Sequence, residues 1–351
     1  MQNNRLIFSS PALNFPIFST VLLGLLLGGC GDSQSGRLAD AIVEDAGAGT
    51  IVRVDAAVDA LIPAGAMIEK LSGGFTFTEG PVWHSGPGHL MFSDLRGNAI
   101  NIWDDATGVR TFMNPVFGGV SETKSVGSNG LNIDSQGRLL MMEHGNRRIS
   151  RREPNGTLTV MVDNYQGKRL NSPNDSAFKS DGWLYFTDPP YGLAGFEDDP
   201  KRELDFNGIY RLSPTGDLEL LESGQSRPNG IAFSPDERTL YVANSDADNT
   251  IWMAYEVLEN GRLANGRVFF DVNDQTESGT ADGLKVDVNG NVFATGPGGV
   301  WIFDADGNHL GNIKPDEVPA NVGWGDDGST LYMTARTGLY RIKLSTAGKI
   351  P

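Results

Sequence analysis

Six oxygen-bearing side chains recur along the chain, and each one comes just before a short apolar, alternating segment. They are Glu79, Asn129, Asn174, Asn229, Asp282 and Asn321. Carboxylate and amide oxygens are the donors that hard cations prefer, and Ca²⁺ takes about six to eight of them. None of the six is a histidine or a cysteine, so the set suits Ca²⁺ best, with Mg²⁺, Mn²⁺ or Zn²⁺ as alternatives. If these side chains meet, they can hold a divalent cation.

The segments around these residues have the pattern of short β-strands. From Phe75 onwards, apolar and polar residues alternate, and Gly, Pro, Asn or Asp interrupt them about every 8 to 12 residues, which is typical of an all-β protein. The six residues are 50, 45, 55, 53 and 39 positions apart, which is the spacing of propeller blades. The innermost strand of each blade lines the central channel, so equivalent residues meet at one mouth. The sequence therefore predicts a six-bladed β-propeller with a metal site in its central channel.

Two other interpretations of the repeat remain open. Asn-Gly and Asp-Gly are favoured in hairpin turns, so a single member such as Asn229-Gly230 can also be a turn. These dipeptides, however, precede a strand instead of joining two antiparallel runs. A β-sandwich would also produce alternating strands, but it would not repeat one phrase six times.

The first thirty residues have the features of an export signal. Residues 1–30 contain the basic Arg5, an apolar run over 15–27 and a small-residue end at Gly28-Gly29-Cys30. Cys30 is the only cysteine of the chain, and it lies where a bacterial lipoprotein carries its lipid. The alternative is an ordinary cleaved signal with an incidental cysteine. We expect a lipoprotein signal peptide and export to the periplasmic side of the cell envelope, with a lipid anchor at Cys30.

The remaining chain is divided by composition into a linker and a domain. Residues 31–52 are rich in Gly, Ala, Ser and Asp, which predicts a flexible tether. Residues 53–351 form the predicted propeller domain, and the segment at 53–70 is expected to be a strap or first strand. The net charge of −16 argues against a nucleic-acid partner, because phosphate binding needs clustered Lys and Arg. We expect contact with a membrane only through the N-terminal lipid.

Longer phrases of the chain match a known family. They are residues 77–83 (FTEGPVW), 168–175 (KRLNSPND), 186–192 (FTDPPYG) and 228–236 (PNGIAFSPD). They resemble the gluconolactonase, senescence-marker-protein and luciferin-regenerating-enzyme family, and the bacterial gluconolactonase branch in particular. The resemblance covers roughly residues 60 to 345. It implies a six-bladed propeller with a divalent cation in the channel.

The resemblance also implies an activity and its residues. The metal ligands of the family correspond to Glu79, Asn174, Asn229 and Asp282. The implied reaction is the hydrolysis of a sugar lactone, in which the metal polarises the lactone carbonyl and Asp282 assists the attack of water. Hydrolysis of other lactones or of organophosphates at the same site is an alternative. A non-catalytic propeller on the cell envelope is another.

Four further residues are expected to contact the substrate. Asn129 and Asn321 are left as channel neighbours of the four ligands. Asp188 is expected to hold a sugar hydroxyl, and the alternative is that it caps a turn. Some animal members of the family place an arginine two residues before the ligand at 174, where this chain has Ser172, so Arg169 is the candidate substitute. The sequence contains no signal for the oligomeric state.

Overall fold

The computed structural model describes residues 41–351, and the predicted signal peptide at 1–30 lies outside the described residues. This part of the chain forms 28 β-strands and two short 3₁₀-helices, Ala56–Ala60 and Phe196–Asp198. No helix within residues 41–351 is long and apolar enough to cross a membrane. The prediction of an all-β fold is confirmed.

Six antiparallel sheets form the six blades, which we number in chain order and describe from the channel outward. Blade 1 contains β4 (Thr78–His84), β5 (His89–Asp94), β6 (Ala99–Asp104) and β7 (Gly108–Met113). Blade 2 contains β8 (Ser128–Ile133), β9 (Leu139–Glu143), β10 (Arg148–Arg152) and β11 (Leu158–Val162). Blade 3 contains β14 (Ser176–Phe178), β15 (Leu184–Asp188), β16 (Gly208–Leu212) and β17 (Leu218–Glu222).

The other three blades complete the ring. Blade 4 contains β18 (Pro228–Phe233), β19 (Thr239–Asp246), β20 (Asn249–Val257) and β21 (Leu263–Asp271). Blade 5 contains β22 (Leu284–Val286), β23 (Val292–Gly296), β24 (Gly299–Phe303), β25 (His309–Pro315), β2 (Gly49–Arg53) and β1 (Ile42–Asp45). Blade 6 contains β26 (Pro319–Gly325), β27 (Thr330–Ala335), β28 (Gly338–Lys343) and β3 (Ile68–Gly73). A separate hairpin joins β12 (Asn164–Tyr165) to β13 (Lys168–Arg169).

The inner strands contact one another in sequence order, and the last one, β26, contacts the first one, β4. The ring is closed by β3, which precedes blade 1 in the chain but pairs with β28 as the outer strand of blade 6. In that pairing Ile68 lies opposite Ile342. The segment at 53–70, expected to be a strap or first strand, thus leads into β3, and β3 joins the two ends of the domain.

The predicted tether at 31–52 is wrong where the structure describes it. Residues from Ile42 onward form β1 and β2, and β2 pairs with β25 along the outer edge of blade 5. Only Ala46 and Ile51 of these residues are fully buried. The segment therefore needs few apolar residues, and its composition resembles that of a linker. Covering an exposed strand edge satisfies backbone hydrogen bonds without requiring an apolar sequence. The described fold therefore begins before residue 53.

The core lies between neighbouring blades. Trp83 of blade 1 stacks on Tyr332 of blade 6, with ring centroids 5.9 Å apart. Phe293 of blade 5 meets Trp324 of blade 6 edge to face at 5.0 Å. Aromatic pairs of this kind contribute about 0.5–1.5 kcal/mol beyond the area that they bury. This packing holds the inner strands at fixed positions around the channel.

Candidate metal and active site

The six oxygen-bearing residues lie at equivalent places on the six inner strands. Four belong to inner strands, and Asn174 and Asp282 come two residues before β14 and β22. Five are buried, and Asp282 is partly exposed. Because the inner strands run side by side from this end of the channel, the residues form one ring. We call Glu79, Asn129, Asn174, Asn229, Asp282 and Asn321 the oxygen ring.

The glycines that follow four of these residues allow the strands to approach closely. A Cβ atom on Gly230 would lie 2.3 Å from the carbonyl oxygen of Asp282, and one on Gly130 would lie 2.6 Å from that of Asn174. Of these four glycines only Gly80 has a positive φ, 52°. Type I′ hairpin turns need positive φ at both central residues. The turn interpretation therefore fails for the other three, and strand packing accounts for the glycines.

Hydrogen bonds connect members of the oxygen ring directly. Asn321 donates from Nδ2 to Glu79 Oε2 at 3.2 Å and to Asp175 Oδ2 at 3.4 Å. Its own Oδ1 accepts from the backbone N–H of Val322. Asn229 donates from Nδ2 to Ser245 Oγ at 3.0 Å. These bonds fix the orientation of both amides and of the Glu79 carboxylate.

Four oxygens of the ring are buried and have no hydrogen-bond partner. They are the Oδ1 atoms of Asn129, Asn174, Asn229 and Asp282. Nearly all buried polar atoms in proteins are hydrogen-bonded, so four partnerless acceptors in one ring require an explanation. A cation is the partner that satisfies several acceptors at once. The donor set thus fits a divalent cation that prefers oxygen ligands.

The electrostatics of the ring also favour a cation. Burial raises the pKa of Glu79 to about 7, and the nearby Asp175 adds to the shift. Burial, followed by the charges of Glu79 and Asp175, raises the pKa of Asp282 well above its usual range. Lys285 brings the only ammonium found near these carboxylates in the described chain, with Nζ 3.7 Å from Asp175 Oδ2. Three crowded carboxylates are stabilised in their charged form by added positive charge.

Amide oxygens are essential to this interpretation. Among the described residues, no group of three or more His, Cys, Asp or Glu side chains is arranged to hold a metal ion. The candidate ligand set instead combines two carboxylates, Glu79 and Asp282, with two amides, Asn174 and Asn229. The ring is therefore recognised as a candidate metal site only when asparagine side chains are counted as ligands.

The sequence analysis missed Asp175, Lys285 and Ser245. Asp175 follows Asn174 at the position where four other blades have glycine, so alignment of the repeats could have identified it. Lys285 lies three residues after Asp282, on the inner strand β22. Ser245 links the ring to Tyr191, whose hydroxyl is hydrogen-bonded to Ser245 Oγ. No feature of the local sequence indicates that Ser245 faces Asn229.

Asp188 has a different place from the one expected. Its side chain is fully buried, and its two oxygens accept from the backbone N–H groups of Asn171 and Ser172 at 2.8 Å. Two other blades use the same arrangement. Asp94 accepts from Thr76 and Phe77, and Asn244 accepts from Arg227. Each of these side chains, at or near the end of a second strand, holds the segment that leads into a ring residue. The structure therefore gives Asp188 a supporting role for Asn174, and its contact with a substrate stays a prediction.

The other three expected substrate contacts, Asn129, Arg169 and Asn321, have different surroundings in the structure. Asn321 bonds to ring carboxylates, and its Oδ1 is taken up by the backbone, so it orients Glu79. Arg169 lies in the β12–β13 hairpin, where it bonds to Asn146 and Glu203, neither of which belongs to the oxygen ring. Ser172 Oγ donates to the Pro189 carbonyl and accepts from Gly192. Of the four expected substrate contacts, only Asn129 has a partnerless oxygen in the ring.

Comparison with known proteins places these features in a wider context. A family model described as "SMP-30/Gluconolactonase/LRE-like region" matches residues 77–337, which contain all six members of the oxygen ring. The gluconolactonase of Zymomonas mobilis is 38% identical over 313 residues, covering 86% of this chain and 87% of that protein. A pentonolactonase of Haloferax volcanii is 29% identical over 269 residues, covering 74% of this chain and 81% of that protein.

A solved structure is also similar over nearly its whole length. The structure of a gluconolactonase from Xanthomonas campestris has a TM-score of 0.74 and 32% sequence identity. The match covers 87% of this chain and 96% of that one. The similarity therefore extends over the ring of blades as a whole, rather than over a few of its strands.

Proposed function

Because the chain belongs to the SMP-30/gluconolactonase/LRE-like family, we propose that it hydrolyses a sugar lactone at the oxygen ring with the help of a divalent cation. The single observation that carries the metal proposal is the set of four buried, partnerless Oδ1 atoms in that ring. The similarity to gluconolactonases supports the reaction type. The pentonolactonase similarity keeps five-carbon sugar lactones within the substrate class.

Glu79, Asn174, Asn229 and Asp282 would hold the cation. All four donors are oxygens, which favours Ca²⁺, and two carboxylates match the charge of a divalent ion. When bound, the cation supplies a Lewis acid for the carbonyl oxygen of the lactone. Asn321 keeps Glu79 in place by donating a hydrogen bond to its Oε2. Ser245 Oγ accepts from Asn229 Nδ2, and this bond orients the amide so that Asn229 Oδ1 points away from Ser245.

Asp282 is the proposed general base. It is the one partly exposed member of the ring, and its Oδ1 has no partner. A carboxylate with a raised pKa accepts a proton more readily than an ordinary one. We assign Asp282 to accept a proton from the water that attacks the lactone carbonyl and to return it to the ester oxygen as the C–O bond of the lactone breaks, which releases a hydroxy acid.

Asn129 is the proposed substrate contact. It adjoins the four ligands in the ring, and its unbonded Oδ1 accepts a hydrogen bond from a sugar hydroxyl. Tyr191 bonds to Ser245, and burial, with the nearby charge of Asp282 adding to it, raises the pKa of the Tyr191 hydroxyl.

The test is acid production from glucono-δ-lactone by the purified protein. We expect turnover to stop after treatment with a chelator and to return on addition of Ca²⁺. A parallel assay with a pentono-lactone shows whether a five-carbon or a six-carbon sugar lactone is the preferred substrate. Activity that is unchanged after complete metal removal, verified by elemental analysis, would contradict the metal proposal; no activity on any sugar lactone with metal present would contradict the reaction.

We further propose export and lipid anchoring through residues 1–30 and Cys30. The apolar run and the position of Cys30 support this assignment. Expression of the full chain in a Gram-negative host should place the protein in the membrane fraction, and Cys30→Ala should release it. Identical fractionation of both proteins would contradict the anchor.

A further inference from the structure

The channel contains a large cavity on the side away from the oxygen ring. Its volume is about 1020 Å³, and it is lined by the far ends of the inner strands and by the turns that follow them. No member of the oxygen ring lines it. Ligand pockets in proteins usually have volumes of about 300–1,000 Å³, so this cavity is large enough for a small organic molecule.

A constriction separates the cavity from the oxygen ring. Asp175 of blade 3 reaches across the channel to blade 6, where its Oδ2 lies 3.4 Å from Asn321 Nδ2. Lys285 comes next and lines the top of the cavity, with Nζ 3.7 Å from Asp175 Oδ2. The two ends of the channel are thus chemically distinct compartments.

The wall of the cavity is arranged in layers along the strands. Asn132 and Lys285 stand three residues beyond their ring residues and form a polar ceiling. Phe178, Phe233 and Val286 lie one residue further and are only half-buried, which leaves apolar surface facing the cavity. Such a wall accepts an apolar body with one polar end.

The charge of the wall has the opposite sign from that of the protein. Five basic residues line the cavity, Arg138, Arg151, Lys179, Lys285 and Lys349. The acidic residues in the lining are Asp134, Glu237 and Asp287. The lining is therefore net positive in a chain of net charge −16. A positive, concave surface raises the local concentration of anions.

Lys349 is exposed, and among the four partly buried bases of the wall Lys285 has the most unused donor capacity. Arg138, Arg151 and Lys179 each lie 2.7–2.8 Å from a carboxylate. Lys285 donates to the Leu284 carbonyl at 3.0 Å, and its carboxylate neighbour is 3.7 Å away. An ammonium has three donors, and charge-assisted bonds are about 2.7–2.9 Å long. At least one Lys285 donor is therefore available to a ligand.

We propose that this cavity is a second binding site, which takes an apolar monoanion with its charged group at Lys285 and its apolar body against Phe178 and Phe233. The site is separate from lactone hydrolysis and does not depend on it. An aromatic or aliphatic carboxylate or sulfonate has the required chemistry.

The probe is 8-anilinonaphthalene-1-sulfonate, with N-phenyl-1-naphthylamine as the same ring system without the charge. Both are titrated by fluorescence into the full-length protein with Ca²⁺ present. We expect saturable one-to-one binding of the sulfonate and at least tenfold weaker binding of the neutral probe. Lys285→Met should bring the affinity for the sulfonate close to that for the neutral probe, without weakening the binding of the latter.

A blocking variant locates the site. Ala177 is half-buried and lines the cavity next to Phe178, so Ala177→Trp should occupy the part of it proposed for the apolar body and lower the affinity for the sulfonate at least tenfold. Val268→Trp, on the exposed outer strand of blade 4, is the matched control and should bind like the wild type. Lactone hydrolysis by Ala177→Trp should remain, which also verifies that this variant folds; if it does not fold, Lys285→Met decides. Absence of saturable binding, equal binding of both probes, or unchanged binding by folded Ala177→Trp would overturn the proposal.

Discussion

Asn321 donates a hydrogen bond to Glu79 across 242 residues of sequence, with Nδ2 and Oε2 3.2 Å apart. The bond joins the inner strand of the last blade to that of the first. A carboxylate of the candidate metal site is therefore oriented by the closure of the propeller. Damage to the closure should therefore disturb the orientation of Glu79.

Replacing Glu79 should separate metal binding from folding. Glu79→Gln keeps the size of the side chain but removes one of the two carboxylates that the proposal assigns to the cation. We expect Ca²⁺ affinity to fall about 100-fold or more, because the ligand loses its charge, as measured by isothermal titration calorimetry. Glu122→Gln, an exposed acid on a loop, should leave the affinity unchanged. Equal Ca²⁺ affinity in Glu79→Gln and wild type would remove Glu79 from the site.

Replacing Asp282 should stop turnover. Asp282→Asn retains an amide oxygen as a possible ligand but cannot accept the proton of the attacking water. We expect kcat to fall by about 10²–10⁴-fold, the usual contribution of a general base. Asp274→Asn, an exposed residue of the loop before Asp282, is the control and should be fully active. Near-normal kcat in metal-loaded Asp282→Asn would exclude the general-base role.

The stability of the metal-free protein should depend on pH through the ring. Burial raises the pKa of Glu79 from 4.5 to about 7, so the folded state binds this proton more tightly than the unfolded state. The resulting stabilisation is complete below pH 4.5 and is lost as the pH rises through about 7. We expect the Tm of chelator-treated protein to fall between pH 5.5 and 8, and added Ca²⁺ to raise the Tm more at pH 8.

A control is needed because burial also raises the pKa of Asp188 to about 7. Asp188 contributes in the same pH range but lies outside the oxygen ring. Glu79→Gln should therefore show a smaller fall of Tm with pH, and a loss of the Ca²⁺ effect. The same pH dependence in Glu79→Gln and wild type would show that Glu79 does not titrate in this range.

The glycines of the ring should be intolerant of a methyl group. In Gly230→Ala the new Cβ would lie 2.3 Å from the Asp282 carbonyl oxygen and 2.7 Å from Gly283 Cα, both of them backbone atoms. We expect a loss of about 1–3 kcal/mol in the free energy of unfolding, because the strands must move apart. Urea unfolding measures this. Gly118→Ala, with no atom near the new Cβ, should be neutral. Equal stability of the two variants would contradict strand packing as the reason for the glycines.

Glu317 should stabilise the closure of the ring. It accepts hydrogen bonds from Lys70 at 2.7 Å on β3, from Thr337 and from Tyr340. Burial opposes ionisation, but these bonds lower the pKa of Glu317 to about 2. Its stabilisation is therefore present above pH 4.5 and lost as the pH falls towards about 2. We expect Glu317→Gln to cost about 1–3 kcal/mol at pH 7 and less at pH 3.

The measurement is urea unfolding at the two pH values. Glu259→Gln, on an exposed turn, provides the matched control and should match the wild type at both. A Glu317→Gln protein as stable as Glu259→Gln at pH 7 would show that the bonds to β3 do not hold the ring closed.

The repeat can be recognised in the sequence because each blade has an oxygen-bearing residue at the equivalent position. An oxygen donor before an alternating strand recurs six times, four times with a glycine directly after the donor, and this local regularity predicts the blades, their number and the oxygen ring. The sequence does not predict the strands at 42–53, because a strand that covers a sheet edge is stabilised by backbone hydrogen bonds and needs few apolar residues. Composition alone therefore gave the wrong boundary for the tether.

The roles within the ring depend on contacts between blades, which no local pattern encodes. Asn321 orients Glu79, Ser245 holds Asn229, and Asp188 supports the segment before Asn174 only because the closed ring brings distant strands within hydrogen-bond distance. The cavity below Lys285 likewise exists between six strands and belongs to none of them. Residue types and spacing are properties of the chain, whereas partners, burial and charge balance arise when folding excludes water and sets the distances between side chains.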